Sequence, residues 1–448
     1  MEPKKAKFSS WLRNSITARM LVVGFLLIVL LVPLEFVKGL ITERSFRQQE
    51  VVQEINNKWG NEVIFSGPIL KVPYKTYKEE KVYIEKTKSF EIKTEEIMNH
   101  AYIFPDKLSI TSKANIAEQP LKRGIYESVV FTSDLNISGN FPEIDLSERD
   151  IKPEDIVWDK ISVLIKTSNL KGIRTTLAMQ LGEESLAMNP QYSQNYMNTV
   201  ESELSQSFSL DANESLPFQL NMRVNGSESL KFIPIGKETT ASMSSNWNSP
   251  SFDGNYLPEQ REVTDNGFTA SWKVLQINRQ FQQQFYNNFP DLMEFSFGAK
   301  LIVPVDEYQK SERTAKYGFM VIGLTLLVFL LIQLVSKIYI HPFQYIMIGL
   351  ALVMFYTLLI SISEHSSFLK AYGISALAVL GLITIYSRAI LNGFRFPLLI
   401  GASLASLYGF IYVIIQLENY ALLVGSIGLF TILAIIMFAS RKIDWNNE

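Results

Sequence analysis

Gly318-Phe-Met-Val-Ile-Gly-Leu-Thr-Leu-Leu-Val-Phe-Leu-Leu-Ile-Gln-Leu-Val-Ser336 holds no charged residue, and the chain continues in the same vein to Ser440. Over that whole third only Lys337, Glu364, Lys370, Arg388, Arg395 and Glu418 are charged. They fall in groups roughly 20–30 residues apart, the interval that a hydrocarbon core about 30 Å thick sets for successive helices. A soluble domain has no means of hiding so much apolar helix surface. Outward from this stretch the apolar spans read as 318–336, 343–363, 368–387, 397–417 and 420–440, with a lone sixth at 20–38. The chain is therefore read as a multi-pass membrane protein.

Whole-chain averages conceal this division. The 448 residues are 47% hydrophobic with a formal net charge of −2, values typical of a globular protein. The charges gather before residue 317 and the long apolar runs after it. The charged middle mixes both signs without a basic block, so no nucleic-acid partner is expected. Absence of cysteine excludes disulfides, thiolate catalysis and cysteine-held metals.

The first span follows Lys4, Lys5, Lys7, Arg13 and Arg19 and precedes Pro33, Glu35 and Lys38, without a small-residue cleavage pattern. It is read as a retained anchor, with Glu35 at the outer interface. With a cytoplasmic N-terminus the spans alternate so that Lys337, Arg388, Arg395, Arg441 and Lys442 fall inside. Glu364, Lys370 and Glu418 then lie in short outer loops. Lys38, Arg44, Arg313 and Lys316 are exceptions, but they flank a large exported segment where the bias counts less. The expected plan has a cytoplasmic 1–19, an anchor at 20–38 and a periplasmic domain at 39–316. A five-helix bundle at 317–440 and a cytoplasmic tail at 441–448 complete it.

Within 39–316, apolar positions from Ile41 to Trp59 recur at helical spacing, so the anchor helix is expected to continue outward. Gly67-Pro68 is read as a break. Further on the period becomes two, as in Phe218, Leu220, Met222 and Val224, followed by Asn225-Gly226 and a return at Leu230 and Phe232. An Asn-Gly pair between alternating runs signals a hairpin, and Asn266-Gly267 before Phe268, Ala270 and Trp272 repeats it. Val129–Ile137, Ile161–Ile165 and Phe295–Val305 give further strands. Residues 191–207 and 278–288 look helical or loop-like. The fold class is α+β: six membrane helices and a β-rich, antiparallel, sandwich-like domain.

The inventory for chemistry is sparse. His100, His341 and His365 are the only histidines, and the bilayer separates His341 from the others, so no histidine metal site is expected. No phosphate loop, nucleophile elbow or zinc-protease pair is present. Ser363, Glu364 and His365 cluster at the outer end of a span and form a candidate contact or proton-sensitive mouth, although a plain polar helix end is the preferred reading. Arg313, Lys316 and Tyr317 before the second span are candidate coupling residues, or simple headgroup anchors. Glu418 and Asn419 turn the chain between the last two spans. Gly401, Ala405 and Gly409 form a small-residue stripe suited to close helix packing. Tyr339, Tyr345, Tyr420 and Trp445 are read as interfacial aromatics. No span carries a charge at its middle, which argues against an ion pump.

Several segments together resemble the CreD family. They are Ser66-Gly-Pro-Ile-Leu-Lys-Val-Pro-Tyr74, Lys122-Arg-Gly-Ile-Tyr126, Gly139-Asn-Phe141 and Glu312-Arg-Thr-Ala-Lys-Tyr-Gly318. The bundle adds His341-Pro-Phe-Gln-Tyr345, Ser363-Glu-His365, Leu417-Glu-Asn-Tyr-Ala-Leu-Leu423 and Arg441-Lys-Ile-Asp-Trp445. The resemblance spans nearly the whole chain and implies a bacterial inner-membrane protein tied to envelope integrity and stress tolerance. It supplies no catalytic, cofactor or metal residues. The expected role is non-enzymatic, with no cofactor. Membrane lipids and envelope proteins or cell-wall components are the expected partners. A carrier with its mouth at Glu364 and His365, or a receptor for a periplasmic ligand, are the alternatives.

Overall fold

The computed structural model describes residues 15–84, 89–192, 196–204, 215–301, 307–336, 338–391, 393–417 and 420–441. Lys4, Lys5, Lys7, Arg13, Val303, Val305, Lys337, Glu418, Asn419, Lys442 and Trp445 lie outside the described residues, so the readings placed on them have no structural counterpart here. The chain forms two compact units, residues 1–50 with 305–448, and residues 51–304.

Among the described residues, six helices are long and apolar enough to cross a membrane, one N-terminal and five C-terminal. The first, α1 (Ile16–Trp59), runs for 44 residues without interruption and contains Pro33. Its boundary between units falls within the helix, so its last turns belong with the β-rich unit. A short α2 (Glu307–Lys316) is followed by α3 (Gly318–Ser336), α4 (Pro342–Ser363) and α5 (Phe368–Ile390). Two more, α6 (Arg395–Gln416) and α7 (Ala421–Ser440), complete the bundle. Pro342 opens α4 at a position whose missing N–H costs nothing, and the His341 ring accepts from the Phe343 N–H to cap it. Leu330, Leu352, Phe355, Val379 and Ile411 are among the residues that fill the bundle interior. Large apolar side chains such as Leu377, Ile385 and Phe430 face outward, as expected where the solvent is lipid.

The segment between the first and second of these helices forms a mixed β domain of two large sheets, with a small two-stranded sheet of Leu121–Arg123 and Tyr126–Ser128 besides, among the described residues. One runs in the order Asn189–Gln191, Asn198–Glu203, Ser162–Thr167, Val63–Ile84, Ser229–Phe232, Phe297–Lys300, Ser251–Gly254. The strand Ser89–Ile103 also pairs with Val63–Ile84, and Gln284–Tyr286 pairs with Ser89–Ile103. The second sheet runs Gln260–Thr264, Gly267–Leu275, Glu238–Ser245, Lys107–Ile116, Val130–Phe141, Leu216–Ser227, Ala178–Leu181, Glu184–Ala187. Inward residues of both sheets form one core, with Phe65, Val163, Ile165 and Phe232 from the first and Ile110, Phe131, Ile137, Leu220 and Trp272 from the second. Strict alternation of exposed and buried positions along Lys107–Ile116, the buried ones apolar except for Ser112, shows why these residues form strands.

Several expectations need correcting. The sheets are not purely antiparallel: Val63–Ile84 pairs in parallel with Ser229–Phe232, and Lys107–Ile116 with Glu238–Ser245. Asn225-Gly226 is no hairpin turn but the interior of Leu216–Ser227, paired with Thr132 and Phe131. Gly226 is there because its α-carbon packs beneath side chains; an added Cβ would lie 2.5 Å from Phe131 Cζ and 2.7 Å from Val63 Cγ2. The turn comes at Glu228, with φ 65°, and sends the chain into the other sheet. Asn266-Gly267 does close a hairpin, with Thr264 opposite Gly267. Gly67-Pro68 does not break the strand; it sits in a bulge between Ser66 and Ile69. Residues 198–203 are a strand, hidden from a period-two search because Val200 is its sole buried apolar residue. The strand expected from Phe295 begins at Phe297, after a 3-10 turn over Met293–Phe295.

Candidate functional site

Two places gather polar chemistry, one in each unit. In the helical unit, Tyr308, Ser311, Thr314 and Ala315 form one face of α2 and are buried, with α2 resting against α4 and α6. Lys316 turns away and pairs with Glu312 at 3.2 Å. Tyr317 and Arg313 are half-buried. Glu364 caps the C-terminus of α4, with its side chain only 15% exposed. Its Oε1 lies 3.7 Å from Arg44 Nε on α1 and accepts from the Tyr308 hydroxyl at 3.4 Å. Ser363 donates to the Ile360 carbonyl, and His365 is exposed. The polar cluster is thus a fastening of α1, α2 and α4 rather than a pairing of Glu364 with His365. Arg44 and Tyr308 were missed from the sequence. The signals were an arginine against the charge bias and an aromatic on the buried stripe of an amphipathic turn.

The small-residue stripe of α6 is split. Gly401 is buried, and a Cβ there would meet Thr384 Oγ1 on α5 at 2.9 Å. Ala405 and Gly409 are exposed, with nothing within 4 Å of a Cβ built at Gly409. Tyr339 and Tyr420 are exposed as interfacial aromatics would be, whereas Tyr345 is 2% exposed and donates to Gln333 Oε1 at 2.7 Å. That bond satisfies a phenol that burial has removed from solvent.

In the β domain a cleft of about 730 Å³ opens on the outer face of the first sheet. Its floor is a cross-strand row. Ser66 stands opposite Lys166, and Lys166 opposite Thr199, so three polar side chains share one face at neighbouring-strand distance. The bulge at Gly67-Pro68 sets this row, because an added Cβ at Gly67 would press on the Ile165 backbone at 3.1 Å. Lys71, Glu201 and Tyr102 line the next rows. Glu201 accepts from Lys71 at 3.0 Å and from Ser162 at 2.5 Å. Lys166 Nζ lies 4.7 Å over the Phe289 ring and donates to Thr199 Oγ1 at 3.3 Å. Tyr102 packs edge-on to the same ring at 5.4 Å. Burial pulls the Lys166 ammonium below the ordinary lysine value, with Glu201 opposing. His100, across the sheet near Lys71, is lowered too, by burial first and Lys71 second. Nothing in the sequence marked these residues, because Ser66, Lys166 and Thr199 are brought together only by strand register. No cluster of three or more His, Asp or Glu side chains suited to a metal ion occurs among the described residues.

Comparison with known proteins adds a lineage. A family profile described as "Inner membrane protein CreD" matches residues 15–446. Over 434 residues the chain is 29% identical to the Escherichia coli (strain K12) protein of that description, covering 93% of this chain and 91% of the other.

Proposed function

The chain belongs to the CreD family of inner membrane proteins, and from that premise we propose a non-enzymatic role in supporting the integrity and stress tolerance of the cell envelope. Both termini are cytoplasmic in this reading, and the β domain faces the periplasm, where it contacts envelope components or partner proteins. The observation that carries it is the placement of a β-rich unit, residues 51–304, between the first and second of six apolar helices. Such a unit lies on one side of the bilayer, and the excess of Lys and Arg in the remaining short loops supports the reading that this side is the outer one. Glu364, already engaged by Arg44 and Tyr308, favours a joint between helices over the mouth of a carrier.

Cells lacking the chain should lose viability under detergent or osmotic challenge and recover it when the chain is restored. Equal survival with and without it would sink the envelope role. The purified full-length chain should leave lipids and peptidoglycan fragments chemically intact on prolonged incubation. Turnover of either would reject the non-enzymatic reading.

A further inference from the structure

Ser66 is 2% exposed, its hydroxyl finds no hydrogen-bond partner, and it lines the cleft on the outer face of the first sheet. A buried hydroxyl left unsatisfied costs free energy comparable to a lost hydrogen bond, so its retention at a cleft floor points to a ligand. Beside it in register stands Lys166, whose ammonium meets a hydroxyl and a ring face but no carboxylate among the described ion pairs. Lys71 pairs with Glu201, and Asp291 stands among the rim residues of the same cleft, so Lys166 is the floor cation without an ion-pair partner among the described ion pairs. The cleft volume of about 730 Å³ suits a small molecule of sugar size or somewhat larger.

We infer that this cleft binds a small hydroxyl-bearing acid, with its carboxylate or phosphate seated between the Lys166 ammonium and the Ser66 hydroxyl. The anion would accept from Lys166 Nζ and Ser66 Oγ, charge-assisted bonds being the stronger kind. The exposed Asn287 and Asn288 at the rim supply donors and acceptors for ligand hydroxyls, and Tyr102 offers a ring edge to its apolar face. This inference rests on the reading above only in taking the acid to come from envelope material; the binding chemistry itself does not depend on which side of the membrane the domain faces.

The test is calorimetric titration of the detergent-solubilised full-length chain with glucuronate, glucose 6-phosphate, inorganic phosphate and neutral glucose. At least one acid should bind, and glucose should bind at least about tenfold more weakly, the difference one charge-assisted hydrogen bond produces. Binding of glucuronate alone identifies a carboxylate ligand, and binding of the phosphates alone a phosphate ligand; either supports the site. Lys166→Met keeps the stem against Phe289 and should weaken binding about tenfold or more, with Ser66→Ala weakening it several-fold. Lys316→Met, on α2, should change nothing. If Lys166→Met shifts the melting temperature, Ser66→Ala and Thr199→Val carry the test in its place. No acid bound at about 10 mM, equal affinity for glucose, or wild-type affinity in the cleft variants would overturn the inference. Because the assay is done in detergent, it can fail while the envelope role stands, and succeed while that role falls.

Discussion

Asp253 accepts from Lys231 at 2.6 Å and from Lys300 at 3.0 Å, where three short strands of the first sheet run side by side. These two bonds hold its carboxyl at about 2, below the ordinary aspartate value. A depressed native value means the stabilisation is complete above the unfolded pKa near 4 and disappears as pH falls through about 2. The carboxylate is 35% exposed, so solvent discounts the pair to roughly 0.5–1 kcal/mol. Asp253→Asn should therefore lower the melting temperature of the β domain at pH 7, with the gap narrowing below pH 4 and closing only below about pH 2, and melts across that range would show it. The Arg44–Glu364 pair makes a second case. A double-mutant cycle with Arg44→Met and Glu364→Gln should give a coupling of about 0.2–1 kcal/mol that shrinks in high salt, read from thermal unfolding in detergent. Neither pairing was visible in the sequence. Lys231, Asp253 and Lys300 meet through register, and charge spacing along a chain says nothing of register. Glu364 was singled out for the right property, a polar group at a helix end, but its partners lie 320 and 56 positions away.

Elements were legible where the period was clean. The long α1 follows from helical spacing through Trp59, and the alternation of Phe218, Leu220, Met222 and Val224 lies in the strand Leu216–Ser227. Elements failed where one residue served two purposes. Asn225-Gly226 has hairpin chemistry, yet Gly226 is a glycine because Phe131 and Val63 press against it in the core. Gly226→Ala should then overpack the core and cost about 1–3 kcal/mol, whereas a turn glycine with open space would cost far less. Chemical denaturation of the wild type and this variant decides between the two. The last turns of α1 show a similar dual use. Asn56 is buried, donates to Glu228 Oε1 at 2.8 Å and accepts from the Ser128 hydroxyl at 2.5 Å. An amide on a helix facing a β-turn is a tertiary fact, and local sequence cannot announce it. Asn56→Ala would strand both partners and should lower stability by about 1–3 kcal/mol in the same experiment.

At the scale of the molecule, hydropathy read the six apolar helices directly, because lipid as solvent punishes any charge along a span. The order of strands was beyond reach. Each sheet takes strands from early and late in the chain, and both parallel pairings, Val63 with Leu230 and Lys107 with Glu238, join residues more than a hundred positions apart. Loop closure over such distances leaves no local trace. The side of the membrane occupied by the β domain follows only from charge asymmetry, so it invites a direct measurement. A chain without cysteine is suited to one, since each introduced thiol is unique. Ile277 is 89% exposed in the β domain, and Arg441 is exposed just past α7. In cells with a permeabilised outer membrane, a membrane-impermeant maleimide should label Ile277→Cys at once. Arg441→Cys should react only after the inner membrane is disrupted. Labelling in the opposite order would place the β domain in the cytoplasm, because six crossings fix both ends of the bundle relative to it.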